Sequence, residues 1–170
     1  TMPAPDERNE RIAKASAWID QNQSNSQAEL RDEFVQLKQQ FMAEVTNLAT
    51  TQFDFKPSDS EWSIREVCLH LSHSMRGGAV AIKILAGGTT LPDDVAPSVL
   101  DTDPGDQSTI IENVDSTFQS VLDSLVCLDG NENLDATFKH PFFGPINCRK
   151  TAAFNILHLR ILLKQVQRVK

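Results

Sequence analysis

The sequence predicts an all-α domain, an up-down-type four-helix bundle with an additional short N-terminal helix. Three observations carry this. Apolar residues recur at helical spacing over four long stretches, no stretch alternates as a strand does, and no segment repeats within the chain. At 170 residues the chain suits one ordinary domain with a real core. Hydrophobic residues make up 40% and charged residues 23%, an ordinary globular mixture.

Residues 6 to 22 carry a thin apolar stripe, Ile12, Ala15 and Ile19, with Trp18 beside it. The Ser/Asn/Gln-rich run from Gln21 to Gln27 then breaks the pattern. Residues 1–27 are therefore read as an accessory helix with its linker, packed on the bundle or offered to a second copy. Residues 28–170 are the bundle itself.

The first long helix follows from Leu30, Phe34, Leu37, Phe41, Val45 and Leu48, which share one helical face. It is expected to stop near Thr50-Thr51, where β-branched residues precede Pro57. The second begins at Ser63, whose hydroxyl and the Glu66 carboxylate three residues on form a capping-box pattern. Ile64, Val67, Leu71, Met75, Ile82 and Leu85 line its face, and Gly87-Gly88 ends it. The Gly77-Gly78 pair inside this helix predicts a kink or a close helix contact.

Thr89 to Gly105, with Pro92, Pro97 and Pro104, is a long loop of the kind that often carries function. The third helix is expected from Asp106 to Leu128, along Ile110, Val114, Phe118, Val121, Leu122 and Leu125. A further loop holds Phe138-Lys139-His140-Pro141-Phe142-Phe143-Gly144-Pro145, whose Pro141, Phe142 and Phe143 are expected to plug one end of the core. The fourth helix starts at Cys148 or Arg149 behind Asn147 as N-cap and runs to the end of the chain.

The composition narrows the function. Sixteen basic against 23 acidic residues give a formal charge of −7, with no basic run, which argues against nucleic acid as a partner. No apolar run approaches the roughly 20 residues that span a bilayer, so no membrane partner is expected. Met2-Pro3-Ala4-Pro5-Asp6-Glu7 lacks the basic and apolar regions of a secretory signal. Three widely spaced cysteines fit a reducing, cytoplasmic setting. Cys68 and Cys127 read as buried hydrophobes and Cys148 as the thiol most open to reaction.

The chemistry-bearing candidates are histidines. His70 on the second helix and His158 on the fourth both fall on inward arcs, where a bundle builds its metal sites. His73, three residues from His70, is the remaining candidate ligand. The plainer alternative is a pair of core histidines hydrogen-bonded to each other or to the backbone. No serine sits in a glycine-flanked elbow, and Gly87-Gly88 lacks the lysine of a phosphate loop.

Three segments, in order, resemble the DinB-like superfamily, whose four-helix bundles are related to bacillithiol transferases and mycothiol-dependent maleylpyruvate isomerases. Glu61-Trp62-Ser63-Ile64-Arg65-Glu66-Val67-Cys68-Leu69-His70-Leu71 is similar to the family's W-S-x-x-E-x-x-x-H-L start of the second helix. His140-Pro141-Phe142-Phe143-Gly144-Pro145-Ile146 resembles the loop before its last helix. His158-Leu159-Arg160-Ile161-Leu162-Leu163-Lys164-Gln165-Val166 resembles its closing H-x-x-x-H-x-x-Q-[IV] pattern.

The resemblance implies that His70 and His158 match two of three histidine ligands to a divalent ion such as zinc or nickel. The third position is Leu162, which cannot ligate. Two functions follow as expectations. One is a bundle with a degenerate site, metal-free, that binds a small ligand or pairs as a homodimeric interaction module. The alternative is a metal-dependent thiol transferase or hydrolase that uses His70, His158 and His73. The family's habit of pairing suggests a homodimer.

Overall fold

The computed structural model describes residues 4–93 and 103–170. Helix α1 spans Pro5–Asn22, α2 Gln27–Val45, α3 Thr50–Phe53, α4 Ile64–Ala86, α5 Gln107–Leu125 and α6 Cys148–Val169. A hairpin of β1, Phe138–His140, and β2, Gly144–Ile146, precedes α6.

Side chains near the helix starts explain where those helices begin. Pro5 stands at the start of α1 with Asp6 and Glu7 in the first turn, where a missing N–H and negative charge are both favourable. Ser26 and Glu29 close a capping box on α2, and Ser63 and Glu66 close the expected one on α4. Ser63 Oγ accepts from the Glu66 N–H at 3.1 Å, and the Glu66 carboxylate accepts from the Ser63 N–H at 3.2 Å. Asp106 caps α5 and Asn147 caps α6.

Helix α2 ends earlier than its apolar stripe suggests. Thr46 is extended and Asn47 takes φ 66°, a left-handed conformation that asparagine tolerates better than most residues, so Leu48 falls outside the helix. The short α3 follows, and its Phe53 is fully buried. Helix α5 likewise stops at Leu125 rather than Leu128. The loop expected before α6 contains the small hairpin, turned at Gly144 with φ +67°.

Four long helices, α2, α4, α5 and α6, enclose one core. Helix α4 packs on α5 and α6, α2 packs on the same two, and α1 lies along α6. Phe118 of α5 meets Phe34 and Phe41 of α2 edge-on at 5.7 and 5.8 Å, an arrangement favoured by the ring quadrupoles.

Long-range contacts give the direction of each helix. Glu33 pairs with Arg160 and Glu44 with Lys170, so α2 and α6 run parallel. Gln27 donates to the carbonyls of Leu125 and Val126 while Gln107 donates to that of Leu48, so α5 opposes α2. His70 faces His158 and Gly78 faces Asn155, so α4 opposes α6. The order is up, down, down, up, a refinement of the simple alternation.

This order accounts for the long connection seen in the sequence. Parallel α4 and α5 oblige the chain after Ala86 to return along the bundle before α5 begins. Arg65 receives the returning chain, binding Asp103 at 3.2 Å and donating to the Gly105 carbonyl at 3.3 Å. Residues 94–102 of this long loop, expected to carry function, lie outside the described residues.

Candidate functional site

The capping box that starts α4 also fixes the approach to the site. It places Trp62 just ahead of the helix and His70 two turns into it. The two rings lie 4.9 Å apart. From the opposing α6, His158 brings its Nε2 to 3.1 Å from His70 Nε2. Its other ring nitrogen, Nδ1, is 3.4 Å from Ser74 Oγ, one turn beyond His70. The two histidines singled out in the sequence therefore meet in space.

Rings continue the site from there. Phe154, one turn before His158, stacks on it at 5.2 Å and 23°. His140 of β1 stands 4.9 Å from Phe154, and Phe143 lies 4.7 Å from His140. The result is an unbroken row, Trp62, His70, His158, Phe154, His140 and Phe143, drawn from the start of α4, the hairpin and α6. The row is partly open to solvent. Trp62 is 37% exposed, Phe142 at the hairpin tip is 60% exposed, and both paired histidines are half-buried. Pro141 and Phe142 are exposed and rim this surface rather than plug the core, while half-buried Phe143 packs against the core's edge.

The imidazoles are held neutral. Burial lowers the pKa of His158 to about 4, reinforced by His70 and His140. Burial also lowers His70, with help from His73, and burial alone lowers His140.

Two ring nitrogens at 3.1 Å attract each other in one of two ways. One donates to the other, or both lone pairs face a shared cation. The donor set was tested against the second possibility. Leu162, one turn past His158, is 2% exposed and brings no ligand atom. His73 is buried on α4 but does not join the pair, and among the described residues no three His, Cys, Asp or Glu side chains gather as a metal group. The residues present do not fit the three-nitrogen set that the sequence resemblance implies.

Other sequence expectations change at this point. Cys148 is fully buried and donates to the Asn133 carbonyl at 3.3 Å, while burial raises its pKa first and Glu132 second. Cys127 is the half-buried thiol, and Cys68 is buried with its pKa pushed up to about 12. The Gly77-Gly78 expectation resolves as a close helix contact. A Cβ on Gly78 would lie 2.6 Å from Asn155 Oδ1.

Comparison with protein families gives one match. A sequence model of the DinB superfamily matches residues 33–166. The chain belongs to the DinB superfamily. The match covers the four long helices of this DinB-superfamily chain almost completely and leaves α1 outside it. A comparison with curated proteins found no match.

Several site residues were not singled out in the sequence. Phe154 and Ser74 enter only through the antiparallel register of α4 and α6. Asn155 left a signal that went unread: a carboxamide on the α6 stripe otherwise occupied by Ala152, Ile156 and Leu159. A separate groove of about 400 Å³ lies between α2 and α5, lined by Met42 and Ile111 and spanned by Lys38 and Asp115 at 3.7 Å. Among the described residues, no helix is long and apolar enough to cross a membrane.

Proposed function

We propose that this DinB-superfamily chain is a metal-free binding module that takes a small, flat, apolar molecule on the ring-lined surface beside His70 and His158. The observation that carries the reading is Leu162. A buried leucine at the third ligand position leaves two neutral imidazoles to satisfy each other, and the aromatic walls then suit an apolar guest better than a hydrated ion. The guest would stack against exposed Trp62 and the Phe143–Phe154 end of the row.

The test is an NMR titration with ethylbenzene at neutral pH in the presence of a chelator. Ring resonances of Trp62 and Phe154 should shift in the parent protein, and Phe154→Ala should weaken the response at least severalfold. An unchanged spectrum would end this reading.

One observation favours a second reading. Two imidazoles on one tetrahedral zinc, each at about 2.0–2.1 Å, bring their nitrogens to roughly 3.3 Å, close to the 3.1 Å found here. His70 and His158 would then be the protein's share of a weak zinc or nickel site serving thiol transfer or hydrolysis. Equilibrium dialysis against zinc and nickel separates the readings, since a stoichiometric ion lost in His70→Ala supports the second. Homodimer formation, expected from the family, is checked by sedimentation.

A further inference from the structure

The hairpin histidine has a proton whose position is dictated by the backbone. His140 Nδ1 accepts a hydrogen bond from the Phe142 N–H at 3.1 Å. A nitrogen that accepts must present its lone pair, so in the neutral ring the proton resides on Nε2. Among the described residues, nothing takes a hydrogen bond from that Nε2–H. The same contact makes His140 unsuitable as a replacement metal ligand through Nε2. Ligation there would move the proton to Nδ1, where it would confront the Phe142 N–H.

The surroundings say what such a donor is for. The ring is clamped between Phe154 at 4.9 Å and Phe143 at 4.7 Å, so its direction is fixed by packing. It stands at the hairpin end of the aromatic row, next to the exposed Phe142. At the other end the histidine pair is already engaged with itself and with Ser74. His140 thus brings the row a donor whose position is set by the Phe142 N–H and which no described residue accepts.

We infer that His140 is a specificity-determining residue of the ring-lined site, whose Nε2–H donates to a carbonyl oxygen on a flat, uncharged ligand. The inference rests on the binding function proposed above and adds the polar group that orients the guest. Depressed basicity of the ring agrees with an uncharged hydrogen-bond donor rather than a cation. A donor of this kind discriminates by being left unpaired when the ligand lacks an acceptor.

The experiment compares acetophenone with ethylbenzene, which are similar in size and differ in the carbonyl. Affinities are read by NMR titration on the parent and on His140→Phe, and long-range proton–nitrogen spectra report the His140 tautomer. The parent should favour acetophenone roughly fivefold to tenfold, the margin one net hydrogen bond supplies. His140→Phe should lose the preference and bind both probes equally. The ring should show its proton on Nε2.

Equal binding of the two probes by the parent would overturn the role of His140 and leave the apolar site standing. Failure of both probes to bind would overturn the site itself, and this inference with it. A proton found on Nδ1 would overturn the inference whatever binds, and this readout does not depend on how the variant folds.

Discussion

His70 and His158 touch through Nε2 atoms 3.1 Å apart, from helices that run in opposite directions and positions far apart in the chain. The contact joins the second turn of α4 to the middle of α6 and requires one neutral donor and one neutral acceptor, or a shared cation in their place. Both rings are kept neutral by burial.

Neutral burial makes the fold sensitive to acid. The folded pKa of His158, about 4, lies below its ordinary value of 6.5. Its contribution is therefore complete above about pH 6.5 and is lost as pH falls toward 4. The loss is at most on the order of 3 kcal/mol, with His70 and His140 adding in the same direction. Urea unfolding at pH 7.5 and pH 5 should show this, and His158→Phe should flatten the dependence. An equally steep dependence in the variant would assign the effect to other groups.

Gly78 is set against Asn155. An alanine there gains about 1 kcal/mol of helix propensity but drives its Cβ to 2.6 Å from a carboxamide that is 2% exposed. Overpacking of this kind costs roughly 1–3 kcal/mol, so Gly78→Ala should destabilise the protein by about 1 kcal/mol net. Asn155→Ala in the same chain should remove the penalty and expose the helix gain. Thermal unfolding of the two single variants and the double variant measures the coupling.

Arg149 ties three segments together. Its guanidinium pairs with Glu132 at 2.5 Å and donates to the carbonyls of Gln23 and Asn25, which join α1 to α2. The Glu132 side chain is only 3% exposed. Removing one partner of such a pair costs about 3–5 kcal/mol when it is fully buried, and the 17% exposure of Arg149 places this case toward the lower end. Arg149→Ala should lose about 3 kcal/mol and open the 21–27 linker to protease before the bundle is cut.

Much of the fold was legible because it is local. The Ser63–Glu66 box, the Asn147 cap and the apolar stripes are written within one or two helical turns. The order of helix directions was not. It depends on pairs such as Glu33 with Arg160, and its one trace in the sequence was the length of the 89–105 connection. The hairpin escaped because each strand has only three residues and Pro145 interrupts the second, leaving no alternation to detect.

The site was legible in the same proportion. His70 and His158 stood out as imidazoles on inward arcs, and Leu162 as the departure from the family pattern. His140 carried no role of its own in the sequence, since nothing local reveals that β1 lies against Phe154. Its tautomer depends on a single backbone N–H two residues away, a contact that only the folded turn creates.

Leu162 decides between a binding surface and a metal centre, and restoring a histidine there is the most direct measurement. Bound zinc and nickel are quantified by elemental analysis in untagged parent protein and in Leu162→His. The parent should hold no stoichiometric ion and the variant about one per chain, because the third imidazole would complete a tetrahedral site with one open position. About one ion per chain in the parent, lost in His70→Ala or His158→Ala, would contradict the metal-free reading.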